Sequence, residues 1–315
     1  METEAGVEPS TGKVAWLFPG QGSQQVGMGR ALAEKSTAAR QLFEQADSIL
    51  HRSLSDICFR GPEDVLRQTI NTQPAILTVS LACLAVAREQ GNLTETPTFM
   101  AGHSLGEYTA AVAGGALSFE DGLRLVQERG RLMQAAGEEN PGTMIAVLGL
   151  DEAAARELCS ASGAEVCNVN APGQVVIGGN LDAVARATEM ARSHGARRTI
   201  PLSVSGAFHT SLMEPAAIGM ASALAEMAFV DPQIPIVANG TGMPLSDAAS
   251  LREELSYQLT HPVLWQQSVE HMLNSDVSVF IEFGPGQVLS GLVKRMAPDA
   301  VIRNLGEDDI LGRES

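Results

Sequence analysis

The chain has 315 residues and a formal net charge of −16, with 44% apolar and 18% charged residues. That acidity excludes a protein whose main task is gripping nucleic acid, which needs a basic face against phosphate. No apolar run approaches the ~20 residues needed to cross a bilayer, and the acidic start METEAGVEPSTGK lacks the basic and apolar regions of a leader.

Residues 1–12 read as a polar lead-in, and 14–18 (VAWLF) as a compact apolar strand running into Pro19-Gly20-Gln21-Gly22-Ser23-Gln24, a loop too rich in glycine to be helical. Helical patterns follow at 29–34, 38–50 and 62–67. The stretch 72–89 is apolar nearly all round, as for a helix packed on several sides. A short buried strand at 99–101 then meets Gly102-His103-Ser104-Leu105-Gly106, with an Ala-rich helix at 105–116. A G-x-S-x-G pentapeptide between strand and helix is the sequence form of a nucleophile elbow. The glycines allow the tight turn, and the serine stands at a helix N-terminus whose free N–H groups can hold an oxyanion.

Ser118 is placed to cap the next helix, with Glu120 and Asp121 in its first turn. Leu125, Val126, Leu132 and Met133 form the inward stripe of that helix, and Arg129 lies on the same stripe by its spacing. An inward guanidinium needs an anion, either a carboxylate of the protein or one carried by a ligand. Spacing leaves both open.

From about 140 the pattern becomes strand 143–150, helix 151–160, strands 165–169 and 175–178, helix 181–194 and strand 199–204. This β-α-β-β-α-β order is ferredoxin-like. It predicts a small α+β domain over 140–203, inserted into a large α/β domain built from 1–139 and 204–315. The large domain is expected to be α/β-hydrolase-like with a mostly parallel sheet. Its second half reads as helix 212–227, strand 234–238, two helices flanking Thr260-His261-Pro262, strand 277–283, helix 288–296 and a frayed acidic end from 306.

A serine nucleophile needs a base. His51, His194 and His271 lie in polar helical surroundings, His103 is turned away by the elbow and supports it, and His261 precedes a proline at a helix end. His209 falls where the inserted domain returns to the body, the place where a cleft forms. Position alone leaves it open as base or as structural residue. No Asp or Glu between 104 and 209 stands out as a triad acid, so a backbone carbonyl is the alternative partner for the imidazole. No H-x-x-x-H, H-E-x-x-H or Cys/His cluster offers a metal site. Cys58, Cys83, Cys159 and Cys167 show no C-x-x-C spacing, which predicts reduced cysteines in a cytoplasmic protein. Neither nucleic acid nor membrane is expected as a partner, and no heptad argues for more than a monomer.

FPGQGSQ (18–24), TQPAIL (72–77), GHSLGEY (102–108), QERG (127–130), NAPGQVVIGG (170–179), SGAFH (205–209), QLTHPVLW (258–265) and EFGPG (282–286) occur in order. Over roughly 13–305 the chain resembles malonyl-CoA:acyl carrier protein transacylases and the acyltransferase domains of polyketide synthases; only 239–257 matches loosely. The resemblance implies Ser104 as the acyl-carrying nucleophile and His209 as general base then acid, oriented by the main-chain carbonyl of Gln258. It implies an oxyanion hole from the N–H groups of Gln21 and Leu105, and Arg129 as the grip on the malonyl carboxylate. Phe208 would crowd an α-methyl group, and Asn170 would help line the cleft. It further implies a ping-pong transfer from malonyl-CoA to the phosphopantetheine thiol of an acyl carrier protein in fatty acid or polyketide synthesis, with no cofactor beyond the CoA thioester substrate. Carrier proteins of this family are acidic, so Arg131, Arg197-Arg198 and Lys294-Arg295 are the candidate docking cations. A carrier-protein hydrolase and an inactive docking module are the rival readings.

Overall fold

The computed structural model describes residues 12–93 and 95–312, so the expected lead-in lies almost wholly outside the described residues, as do the last three positions of the acidic end. The chain enters through β1 (Lys13–Phe18), then runs through α1 (Arg30–Lys35), α2 (Thr37–Leu50), α3 (Leu54–Arg60), α4 (Glu63–Leu66) and α5 (Thr69–Glu89). Next come β2 (Phe99–Gly102), α6 (Leu105–Ala113) and α7 (Phe119–Glu139). The following stretch holds β3 (Gly142–Leu148), α8 (Glu152–Ser162), β4 (Glu165–Ala171), β5 (Gln174–Asn180), α9 (Leu181–Met190) and β6 (Arg198–Pro201). A 3-10 turn (Ser211–Met213) leads to α10 (Glu214–Ala225), β7 (Ile236–Val237), β8 (Pro244–Leu245), α11 (Ala248–Tyr257) and α12 (Trp265–Asn274). The chain closes with β9 (Val277–Phe283), α13 (Val288–Met296), β10 (Val301–Leu305) and α14 (Glu307–Leu311).

Two sheets organise these elements. The larger has the order β10-β9-β1-β2-β7-β8 and is parallel except for the β7–β8 pair. β1 is buried from Val14 to Phe18 and β2 along its whole length, as continuous apolar strands are when helices cover both faces. The smaller sheet, β4-β5-β3-β6, is antiparallel throughout. Val263 stitches the two regions together: its N–H donates to the Cys167 carbonyl and its carbonyl accepts from Val169, both at 2.9 Å.

Contrary to expectation, α5 is long and apolar enough to cross a membrane by length and composition, but 83% of that window is buried inside the protein. It packs against α2 and α7, so its all-round apolarity serves the core. The acidic end is also ordered further than expected. β10 extends the parallel sheet beside β9, Ile310 is buried, and the Glu307 carboxylate accepts from the amides of Gly29 and Ala31 at the start of α1. Composition alone reads such an acid as solvated; a tertiary contact made it a cap. α6 stops at Ala113, short of the expected 116, because Gly114 and Gly115 follow and Gly115 takes a left-handed φ of 76°.

Candidate active site

Ser104 follows β2 and caps α6 with φ 52° and ψ −105°, a conformation that side chains rarely adopt and that costs about 1–3 kcal/mol. The flanking glycines permit it. A Cβ on Gly102 would fall 1.9 Å from the Gly106 carbonyl carbon, and one on Gly106 would fall 2.0 Å from the Phe18 carbonyl oxygen. The serine N–H is held by Asn239 Oδ1 at 2.6 Å, while Asn239 Nδ2 donates to the Gly102 carbonyl at 2.7 Å. The elbow is thus braced from the loop after β7, in a region where the sequence offered little signal.

His209 closes on the serine, with Nε2 2.7 Å from Ser104 Oγ. Its other ring nitrogen, Nδ1, lies 2.6 Å from the main-chain carbonyl of Gln258, with no carboxylate between them. That contact places the proton on Nδ1 and leaves Nε2 as the acceptor facing the hydroxyl. Burial, and then the positive charge of Arg129, push the imidazole pKa down from 6.5 to about 3. The ring is therefore neutral at physiological pH, the form a base requires.

Arg129, on α7, is 1% exposed. Nη1 donates to Gln73 Oε1 at 2.8 Å; Nη2 donates to Gln258 Oε1 at 2.8 Å and to Ser104 Oγ at 3.1 Å. The guanidinium also lies over the Tyr108 ring, 5.3 Å from its centroid. Among the described residues no carboxylate pairs with it, and its Nε has no partner. Two neutral amide oxygens fix its direction without cancelling its charge.

Gln21 lies on the loop after β1 and Leu105 opens α6 directly after Ser104, and the N–H of neither donates to another group among the described residues. Both loops leave the carboxyl ends of adjacent parallel strands, where open α/β sheets gather their sites. The centre opens into a cleft of about 400 Å³, lined by Gln21, Ser104, Arg129, Asn168, Phe208 and His209 among others.

Asn170 is not among those lining residues. Its Oδ1 is spent on His103 Nε2 at 2.9 Å, supporting the elbow from beneath, and the asparagine that faces the cleft is Asn168. Residues two apart share a face in a regular strand, but the β4–β5 pairing shifts between Val169 and Ala171, leaving Asn170 out of register with Asn168, which spacing does not reveal. Gln73, Glu107 and Asn239 complete the site without having been singled out. A glutamine in an apolar helix and a glutamate in an Ala-rich one were the available signals for the first two. Of the candidate docking cations, Arg131 is paired with Glu128 at 2.6 Å and Lys294 donates to the Pro298 carbonyl.

Residues 15–304 match the family model described as the acyl transferase domain. The chain is 44% identical over 289 residues, covering 90% of each protein, to the malonyl CoA-acyl carrier protein transacylase of Bacillus subtilis strain 168. It is 42% identical over 297 residues to that of Escherichia coli K12, covering 93% of this chain and 96% of the relative. Among solved structures, the acyl-carrier-protein-S-malonyltransferase of Bartonella henselae superposes with a TM-score of 0.90 at 41% identity, over 95% of this chain and 97% of that one. A malonyl-transacylase solved in complex with its type II PKS acyl-carrier protein gives 0.89 at 38% identity, over 96% and 98%. With nearly its whole length matched in sequence and in fold, the chain belongs to the acyl transferase family, alongside the malonyl CoA-acyl carrier protein transacylases.

Proposed function

We propose that this protein transfers the malonyl group from malonyl-CoA to acyl carrier protein, through an ester on Ser104. Ser104 Oγ attacks the thioester carbonyl carbon as His209 Nε2 takes its proton, and the N–H groups of Gln21 and Leu105 receive the oxyanion. Collapse breaks the C–S bond, and the imidazolium returns the proton to the departing CoA sulfur. The phosphopantetheine thiol of the carrier protein then attacks the ester with the same imidazole acting in reverse. The thioester arrives activated, so the sequence of steps requires neither a metal nor an organic cofactor. We place the protein in the cytoplasm, working as a monomer.

The observation that supports this reading best is the buried guanidinium beside the nucleophile, with no carboxylate paired to it among the described residues. A buried cation in that state calls for an anion, and the free carboxylate of a malonyl ester on Ser104 would supply one at the required distance. A carrier-protein hydrolase has no use for such a grip. Incubation with malonyl-CoA alone, followed by intact mass and peptide mapping, tests the reading. A stable malonyl adduct on Ser104 is expected; free malonate without adduct would point to the hydrolase, and no change to a docking module.

Phe208 lies on the cleft beside His209 and is 6% exposed, where its ring would meet an α-substituent on the acyl group. Phe208→Ala should raise acceptance of methylmalonyl relative to malonyl about tenfold, the scale of one methyl group in an apolar pocket. Competition between the two CoA esters measures it, and an unchanged ratio would remove Phe208 from the selectivity.

A further inference from the structure

Glu107 is a wholly buried acid on α6, one turn beyond the nucleophile, and it touches neither Ser104 Oγ nor His209. Its Oε1 accepts the Asn239 N–H at 2.9 Å and its Oε2 accepts from Gln258 Nε2 at 2.5 Å. Both oxygens accept, so the carboxyl presents acceptors to these two N–H groups. Burial first, and then the neighbouring Glu254, push this group well above the ordinary carboxylate range; the Asn239 amide, the Gln258 amide and Arg129 pull the other way. Among the described residues Tyr108 and Arg129 are the other charged or titratable groups facing it, and the Tyr108 hydroxyl is committed to the Leu255 carbonyl at 2.9 Å.

The side chain of Gln258 joins two groups of opposite demand. Arg129 Nη2 can only donate, so it requires the amide oxygen, which leaves the amide nitrogen to donate to Glu107 Oε2. The bonds therefore run in one direction, from guanidinium to glutamine to carboxylate. Gln258 Nε2 also reaches the Ser104 carbonyl at 3.2 Å, which favours the same way round. Resting on the function proposed above, we propose that Glu107 is a positioning residue for acyl selectivity: by holding the nitrogen end of the Gln258 amide it turns the oxygen end toward Arg129, and so keeps the guanidinium beside Ser104 for an acyl group that carries a carboxylate.

Glu107→Gln tests this with little change of shape. The new amide oxygen keeps the Asn239 N–H, which is fixed in the backbone, so its nitrogen must face Gln258. Gln258 then turns over to accept, and presents its own nitrogen to Arg129, donor against donor. Acylation of Ser104 by malonyl-CoA, followed by quenched intact mass, should fall about 10- to 100-fold, the scale of a lost hydrogen bond to a charged group. Acylation by acetyl-CoA, which has no carboxylate for Arg129, should fall less than about threefold on the same scale. Equal losses for both, or no loss, overturn the proposal. If the parent chain forms no malonyl adduct, the functional reading fails and takes this inference with it; if the parent does and the variant matches it, the inference alone fails.

Should Glu107→Gln not fold, Gln258→Glu decides. There the one-way chain survives only while a proton lies between the two carboxyl groups, so malonyl acylation should decline as pH rises, where the parent does not. Inactivity at every pH, or a profile as flat as the parent's, overturns the proposal.

Discussion

Replacing His209 with asparagine should slow malonyl-CoA acylation of Ser104 about 10,000-fold, the upper range for removing a positioned general base. Asparagine suits the test because residue 209 sits at φ 61°, a region asparagine tolerates, and its amide can still donate to the Gln258 carbonyl. What it cannot do is accept and return the serine proton. The thermal midpoint should stay within a few degrees, so that lost rate reports chemistry rather than folding. An adduct forming at near-parent rate would dismiss the imidazole as base.

The same residue fixes the pH behaviour. With its pKa held near 3 by burial and by Arg129, His209 stays neutral from about pH 5 to about pH 8. Acylation should therefore show no acid limb at the ordinary histidine value. In stability the sign is that of a depressed folded pKa. The contribution is complete above 6.5 and is lost as pH falls toward about 3, because the unfolded chain binds the proton that the folded one refuses. A break in kcat/KM near 6.5 would place the ring in a wetter site than the one described.

Arg129→Ala should cut malonyl transfer about 100- to 1,000-fold, taking ~3–4 kcal/mol for removing one partner of a buried, hydrogen-bonded charge pair and tenfold per 1.36 kcal/mol. Acetyl and longer acyl groups, which bring no carboxylate, should gain relative to malonyl, because the pocket loses its demand for an anion. Steady-state transfer with malonyl-CoA and acetyl-CoA in parallel gives the ratio. Unchanged malonyl preference would take the arginine out of substrate binding. The imidazole offers a second readout, since Arg129 is the second largest influence lowering its pKa. Removing that charge should move the acid limb of acylation upward.

The elbow was legible because its chemistry is local. Glycines at 102 and 106 are demanded because a Cβ there would fall about 2 Å from backbone atoms of Gly106 and Phe18, and a short motif carries that demand. The inward aim of Arg129 was legible for a similar reason, since helical periodicity places a side chain on a face. Its partner was not, because Gln73 and Gln258 lie 56 and 129 residues away. Periodicity and turn signals likewise recovered β9 and α13 at their observed limits. They missed β10 and α14, whose order depends on contacts with β9 and α1 made far along the chain. Asn168 rather than Asn170 faces the cleft because of a shifted register, a property of strand pairing rather than of spacing. By itself, then, the sequence determined most of the elements (though not β10 and α14), the tight turn and the identities of Ser104, His209 and Arg129 as candidates. Only the tertiary structure decided that the arginine has neutral partners, that a carbonyl orients the histidine, and that a buried glutamate meets the Gln258 side chain. Hydrogen bonds between distant segments carry directional information that no local pattern encodes.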